Sequence, residues 1–214
     1  MNSRSLLVGP AQVGFTLDPV EVGVLRQAFG VRSRLFPLRL GSTTVDPVRF
    51  AALAAAVDEA LDRRGLVEGG LLHPSVQAGF ELLAEHRLAV SITGAPGDLT
   101  VLAVSDGVRA LSVTQPSSGE LRFAPFPADE LVDTLVATLP PAPAGTPADT
   151  AEPRVGGGLL VASGRSRRGL WADMLGWVDT PRGRHLVTTA TERYSPVGPA
   201  ELTIAVTELL AGPR

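Results

Sequence analysis

Residues 88–124 read LAVSITGAPGDLTVLAVSDGVRALSVTQPSSGELRFA, and in this stretch strand-like runs alternate with turns. Apolar residues take every second position from Leu88 to Ile92, which is typical of a β-strand with one buried face. Turns are indicated by the GAPG and PSSG segments and by Asp106-Gly107, because an Asp-Gly pair between two apolar runs favours a hairpin. The stretch therefore predicts an antiparallel meander of four strands.

Amphipathic helices are predicted on both sides of this meander, because apolar residues there recur at helical spacing between recognisable cap residues. In the first helix Asp18 suits the N-cap, Pro19 the first turn and Gly30 the end. Residues 34–40 are mostly apolar and are predicted as a short edge strand, since Pro37 cannot donate to a ladder. The predicted helices cover residues 18–29, 46–64, 74–85, 127–139 and 199–210.

The end of the meander is repeated later in the chain. RFAP at residues 122–125 aligns with RYSP at 193–196, and the helices that follow align at the same offset. A lone meander with one helix cannot bury its apolar face, so two such halves are expected to share one sheet. The strands of the second half are predicted over residues 159–162, 170–174, 175–178, 185–189 and 192–197.

The predicted fold is α+β, an antiparallel β-sheet flanked by helices and built as a quasi-two-fold pair of β-meander-plus-helix halves. We expect a single domain over residues 1–214, with an N-terminal half at 1–139 and a C-terminal half at 159–214. Residues 140–158 between them are rich in Pro and Gly and are predicted to be a flexible, exposed loop.

Composition excludes several kinds of chemistry. The chain has no cysteine, which excludes disulfides, thiolate nucleophiles and cysteine zinc sites. All 19 basic residues are arginine, so Schiff-base chemistry and a phosphate-loop lysine are excluded as well. The apolar run within the first ten residues is too weak for a signal peptide, and no run approaches a membrane span. The cytoplasm is therefore the expected location.

Candidates for catalysis are few, and we expect no catalytic residue, no cofactor and no metal site. His73 and His86 lie at predicted helix ends and His185 in a predicted strand, where structural or solvent-exposed roles are the commoner ones. Glu81 and Glu85 share a helix face next to His86, which we interpret as a solvated acidic surface. A small-molecule sensor or enzyme remains the alternative if these three converge in a pocket.

Candidates for partner binding lie in the second half. Trp171, Met174 and Trp177 are the predicted apolar anchors, although at least one tryptophan is expected to pack between the sheet and the last helix. The cluster formed by Arg165, Arg167 and Arg168 is predicted as the rim of a protein interface. A nucleic-acid patch at this cluster is a further alternative.

Two blocks in the second half, RGLW at residues 168–171 and WVDTPRGRHLV at 177–187, resemble the EspG family of type VII secretion-associated proteins. In the first half, FPL at 36–38, RGL at 64–66 and Pro74 before the third helix are similar to the order of elements in that family. His185 stands where the family more often has Tyr. The chain is shorter than is usual in the family, and its centre is the expected place of the deletion.

The resemblance implies a quasi-two-fold α+β fold and a cytosolic chaperone. The expected partner is a helical secretion substrate, a PE–PPE-like pair or a WXG-type heterodimer, which the protein keeps soluble and marks for export. The resemblance implies neither nucleic-acid binding nor membrane insertion, and we expect a monomer or a weak homodimer. Such a chaperone covers an exposed apolar helical tip and recognises its surroundings by polar contacts.

Overall fold

The computed structural model describes residues 13–41, 46–147, 152–166, 169–188 and 193–212. Within these ranges the helices are α1 (Pro19–Ala28), α2 (Pro47–Asp62), α3 (Pro74–Glu85), α4 (Leu131–Thr138) and α5 (Pro199–Ala211). The main sheet contains β1 (Phe15–Leu17), β4 (Leu88–Ala95), β5 (Leu99–Ser105), β6 (Arg109–Thr114), β7 (Leu121–Pro127), β8 (Gly156–Ser166), β9 (Gly169–Thr180), β10 (Gly183–Thr188) and β11 (Arg193–Pro196). β2 (Val67–Glu68) and β3 (Leu71–Leu72) form a separate two-stranded ladder.

The strand order confirms the predicted α+β fold and its quasi-two-fold construction. The order across the sheet is β1-β7-β6-β5-β4-β8-β9-β10-β11, so one meander, β4 to β7, meets the other, β8 to β11, at its centre. The central strands run antiparallel, with Leu88 opposite Gly164 and Ala95 opposite Gly157. α4 follows the first meander and α5 the second, which gives the two halves the same order of elements.

The helices begin at the cap residues that the sequence indicates. The Asp18 carboxylate accepts the N–H groups of Val20 and Glu21, and the Glu21 carboxylate accepts the Asp18 N–H, which completes a capping box. The Asp46 carboxylate caps α2 by accepting the N–H groups of Val48 and Arg49. At α3 the Nδ1 atom of His73 accepts the Ser75 N–H at 3.2 Å, so this histidine has a structural role.

Two apolar cores lie on opposite faces of the sheet. Over the first half, α1, α2 and α3 cover one face and pack on β5, β6 and β7. α4 and α5 cover the other face, against β4, β5, β8 and part of β9. Residues of β5 alternate between the two cores, because Leu102 and Val104 belong to the first and Val101 and Ala103 to the second.

The prediction of an edge strand at residues 34–40 is wrong. This segment makes a turn at Phe36-Pro37, and the Gln115 side chain holds its backbone by accepting the Arg39 N–H and donating to the Arg39 carbonyl. The edge position beside β7 is taken by β1, in which Phe15 pairs with Phe123. Residues 34–40 therefore stay outside the ladder.

The first two strands of the second half, β8 and β9, are longer than predicted. Residues 170–174 and 175–178 form one strand, β9, and β8 begins at Gly156, inside the predicted loop. The glycines of β8 serve packing here, since a Cβ atom at Gly158 would overlap the Thr93 carbonyl and the Trp177 ring. Gly158 thus makes room for the Trp177 ring, and the glycine run belongs to a packed strand.

The strap, as we call residues 140–147, also lies in the predicted loop but is hydrogen-bonded to the sheet. Arg184 of β10 donates its N–H to the Pro143 carbonyl at 3.0 Å and its guanidinium to the Pro140 carbonyl at 2.7 Å. Further along, Nε2 of the buried His185 lies 2.8 Å from the Thr146 carbonyl. The prediction of a free loop is therefore wrong for this part of 140–158.

Gly145 marks the point where the strap crosses the end of the sheet. Its N–H donates to the Val197 carbonyl at 3.1 Å, and a Cβ atom at this position would overlap the Arg184 carbonyl. Because neighbouring residues of β10 point to opposite faces, Arg184 and His185 meet the strap on the two sides of the sheet. Only glycine fits this crossing without moving the backbone of β10.

Candidate docking surface

One face of the second half of the sheet has no helix over it in the described part of the chain. Leu160 and Ala162 of β8 point into the core under α4 and α5, so Leu159 and Val161 point to the opposite face. Over the first half, α1, α2 and α3 cover that face. Between α4 and β8 the described residues contain no helix that could cover it in the second half.

Strand register extends this uncovered surface across β9 and β10. Met174 lies opposite Val161, and Gly176 lies between Leu159 on one side and Val187 on the other. The bare face, as we call it, consists of Leu159, Val161, Leu170, Ala172, Met174, Gly176 and Val187. Leu170 is 80% exposed and Met174 is 52% exposed. Large apolar side chains exposed together on one surface indicate an interaction site.

An open apolar groove of about 550 Å³ shares residues with the bare face. Leu159, Gly176 and Val187 line it together with the β4–β5 turn at Ala95 and Pro96. Gly176 contributes no side chain, which leaves space for an apolar group from outside. The groove is lined mostly by apolar atoms and glycine backbone, as is common where a hydrophobic side chain of a partner is bound.

Arginines stand near both ends of the bare face. At the groove, Arg154 is held in place because its Nε donates to the Tyr194 hydroxyl at 2.8 Å and its guanidinium lies 5.8 Å from the Tyr194 ring centre. At the other end, Arg165 is exposed and pairs across the hairpin with Leu170. Arg167 and Arg168, the other predicted rim residues, lie outside the described residues.

The predicted anchors do not share a face. Met174 points to the bare face, whereas Trp171 and Trp177 point to the face that α4 and α5 cover. Trp177 is 1% exposed and belongs to the core, so its prediction as a contact residue has to be corrected. Trp171 is half-buried and packs against Gly212 at the end of α5. Trp171 therefore packs between the sheet and the last helix, as expected for at least one tryptophan, and Trp177 is buried in the same core.

Sequence reasoning missed Leu159, Val161, Val187 and Arg154 as surface candidates. The available signal is the alternation in residues 156–166, where a strand of this length places every second residue on one face. That signal is usable only when the start of the strand is known. The glycine run at residues 156–158 hid the start because its composition is typical of a loop.

Two of the three residues considered for catalysis, His86 and Glu81, are engaged locally. His86 Nδ1 lies 3.0 Å from the Leu83 carbonyl, and the Glu81 carboxylate accepts the side-chain amide of Gln77 at 2.8 Å. Among the described residues, no three His, Asp or Glu side chains come together as metal ligands would. The geometry gives the sensor or enzyme alternative no further support.

Comparison with known proteins gives one family and one overall fold. A sequence model of the EspG family matches residues 18–150. Comparison with curated proteins gives no match. Among solved structures, the chain is similar to the type VII secretion system chaperone EspG5 of Mycobacterium tuberculosis, determined in complex with a PE25–PPE41 dimer. The similarity has a TM-score of 0.66 at 13% identity and covers 92% of this chain and 96% of that chain.

No helix in the described ranges has the length and apolarity to cross a membrane.

Proposed function

This chain belongs to the EspG family, and from that premise we propose that it is a cytosolic chaperone of type VII secretion. Its partner is a helical substrate, such as a PE–PPE-like pair, which it keeps soluble and directs to export. EspG5, which shares the fold, was solved with a PE25–PPE41 dimer, and this supports the choice of partner. The proposed action is binding and not catalysis.

The observation that carries the proposal is the bare face. A sheet covered by helices on both sides in one half and on one side in the other exposes the side chains of Leu170 and Met174 and leaves Leu159 and Val161 only half-buried. A helical tip of a substrate replaces the missing cover and removes this surface from water. Recognition of this kind lays the apolar side of a helix against an apolar surface, with a few residues supplying most of the affinity.

The charges near the bare face indicate what flanks the apolar tip. Arg154 at the groove and Arg165 at the hairpin end are both cations, and no acidic residue belongs to the bare face itself. A partner with acidic residues beside its apolar tip is electrostatically complementary to this arrangement. Arg165, Leu170 and Met174 are therefore the proposed contact residues, and Arg154 is added to the rim.

The decisive experiment is co-purification with a PE–PPE-like pair encoded beside the gene. The wild-type protein is expected to hold the pair in a stable complex. Met174→Glu is expected to weaken binding at least about tenfold, because it places a charge in an apolar contact worth more than 1.4 kcal/mol. Met174 is exposed, so the variant is expected to fold normally.

The matched control is Ile204→Glu, which changes an apolar residue that is 58% exposed on α5, on the other side of the sheet. This variant is expected to bind like the wild type. Unchanged binding by Met174→Glu, or loss of binding in Ile204→Glu alone, points to a surface other than the bare face. If the wild-type protein captures no such pair, the proposed function itself fails.

A further inference from the structure

A second cavity lies on the side of the sheet opposite the bare face. It is open, has a volume of about 310 Å³ and is lined by the last turn of α4, the strap, the first turn of α5 and Arg184 of β10. Arg184 lies opposite Asp179, and Asp179 is two positions from Trp177 along β9, so the Arg184 side chain is on the face that α4 and α5 cover. The strap cavity, as we call it, shares no lining residue with the groove of the bare face.

The walls of the strap cavity are apolar. Leu139, Val197 and Leu202 line it with side chains that belong to the core beneath α4 and α5, and the strap contributes prolines. Arg184 is the one charged residue among the described residues that line it. Ligand sites commonly have apolar walls, a few polar groups and volumes of about 300–1,000 Å³. The strap cavity is near the lower end of this range, which suits a molecule with a single ring.

The Arg184 guanidinium leaves one nitrogen available to a ligand. Nε and Nη2 donate to the Asp179 carboxylate at 2.7 and 2.8 Å, and Nη2 also donates to the Pro140 carbonyl at 2.7 Å. Nη1 has no hydrogen-bond partner among the described residues. The fully buried side-chain atoms without a partner in this part of the chain belong to Trp177 and His185, so Nη1 is not sealed inside the protein. Since Arg184 is only 6% exposed, Nη1 is reached through the cavity that Arg184 lines.

The charges near the strap cavity favour a neutral ligand with an acceptor oxygen. A donor in apolar surroundings needs an acceptor, because leaving it without one is unfavourable. Asp179 already neutralises Arg184, and the Glu201 carboxylate accepts the N–H of Gly198, a lining residue, at 3.1 Å. An anionic ligand therefore meets two negative charges and one positive charge. An ammonium group offers no acceptor to Nη1, whereas a carbonyl oxygen accepts without a charge.

We propose that the strap cavity binds a small neutral molecule with an apolar ring and a carbonyl oxygen, such as an aryl ketone, ester or amide. The ring lies between α4 and α5 against the strap, and the carbonyl oxygen accepts from Nη1 of Arg184. This site goes beyond the proposed function, because it lies across the sheet from the bare face and needs no protein partner. A molecule bound there contacts α4, the strap and α5 together and stabilises the folded state.

Amide NMR spectra of the full chain with three one-ring probes test the class of ligand. Acetophenone has the ring and the carbonyl oxygen, ethylbenzene has a similar shape without the oxygen, and benzoate has a negative charge. Acetophenone is expected to shift the amide signals of Ala137, Leu139 and Gly198 until the site is saturated. Ethylbenzene is expected to bind at least about tenfold more weakly, because it lacks a hydrogen bond to a charged donor. Benzoate is also expected to bind more weakly than acetophenone.

Each probe can overturn a different part of the proposal. Absence of a saturable shift with acetophenone overturns the site itself. Equal binding of ethylbenzene and acetophenone overturns the role of Nη1, since the cavity then accepts any apolar body. Binding of benzoate that equals or exceeds that of acetophenone overturns the choice of a neutral ligand.

A variant that fills the cavity tests where the probe binds. Ala137 is exposed on the last turn of α4 and lines the cavity, so Ala137→Trp is expected to fold and to lose acetophenone binding. Ala55→Trp, at an exposed position of α2 on the other side of the sheet, is the matched control and is expected to bind like the wild type. Acetophenone is expected to raise the Tm of the wild type and of the control only. Undiminished binding by a folded Ala137→Trp contradicts the inference.

Discussion

Equivalent hairpins in the two halves each carry a carboxylate–guanidinium pair, in different surroundings. Between β5 and β6, Arg109 lies 2.9 Å from Asp106, and the side chains are 42% and 24% exposed. Between β9 and β10, Arg184 lies 2.7 Å from Asp179, and the side chains are 8% and 10% exposed. The strap packs against Arg184, whereas the first pair faces solvent. Loss of this ion pair is therefore expected to reduce the free energy of unfolding only slightly in the first half and much more in the second.

The halves also differ in how their sheet is covered. The helices α1, α2 and α3 bury one face of the first half, and the equivalent face of the second half is bare. In the second half the connection after α4 runs as the strap along the sheet end. Pseudo-symmetric halves of one sheet can thus be specialised by what lies over them, one for a stable core and the other for a binding surface.

The largest effect is expected when the buried pair is broken. Arg184→Ala leaves the Asp179 carboxylate and the Pro140 carbonyl without a donor, and the free energy of unfolding is expected to fall by about 3–5 kcal/mol. Arg109→Ala in the other half is expected to cost about 0–1 kcal/mol. Chemical denaturation measures both. If the two variants lose the same stability, burial under the strap does not make the Asp179–Arg184 pair more important than the exposed pair.

A smaller effect is expected at the crossing of the strap, which only the second half possesses. Gly145→Ala forces a Cβ atom against the Arg184 carbonyl and is expected to destabilise the protein by about 1–3 kcal/mol. Gly176→Ala is the control, because a Cβ atom there meets Val187 at 3.5 Å, an ordinary contact. Its change is expected to stay within about 0.5 kcal/mol. Thermal unfolding followed by circular dichroism separates the two cases.

The smallest effect concerns pH and the exposed hairpin. Burial alone would raise the pKa of Asp106, but the N–H groups of Arg109 and Val108 and the Arg109 guanidinium lower its pKa below the usual value. A lowered pKa stabilises the fold above the usual aspartate pKa of about 3.9, and this contribution is lost as the pH falls through the folded-state value. Asp106→Ala is expected to cost about 1 kcal/mol at pH 7 and less in acid.

Denaturation of wild type and Asp106→Ala at neutral pH and at about pH 3, below the usual aspartate value, measures this change. Asp106→Asn keeps an oxygen that accepts the Val108 and Arg109 N–H groups without a charge, and it serves as the control. Its stability relative to Asp106→Ala is expected to be independent of pH. A cost of Asp106→Ala that is the same at both pH values rules out the ionic contribution.

The elements predicted most reliably are those whose sequence is periodic over many residues. The four-strand meander, the helix caps at Asp18 and Asp46 and the pairing of two halves follow from alternation, cap chemistry and repetition. β1 was missed because three residues are too few to show a period. The strap was missed because its partners, Arg184 and Val197, lie far along the chain and composition carries no information about them.

The candidate surface was predicted only in part, and the reason is a boundary error. Residues 171 and 177 are an even number of positions apart and residue 174 is at an odd spacing from both, so in one strand Met174 must point away from the two tryptophans. Division of β9 into two short strands hid this relation. Met174, Leu170 and Arg165 are exposed as a binding surface requires, but the contact role of Met174 and Arg165 remains a prediction.

The strap has a consequence for synthesis on the ribosome. Residues 140–147 leave the ribosome before their partners Arg184 and Val197 have been made. Their backbone groups are therefore hydrogen-bonded to water until the C-terminal strands have been synthesised. Four of these residues are proline, at positions 140, 141, 143 and 147, and proline offers no N–H to a passing strand. The composition that resembles a linker thus keeps the segment from premature pairing until its carbonyl groups meet their donors at the C-terminal end.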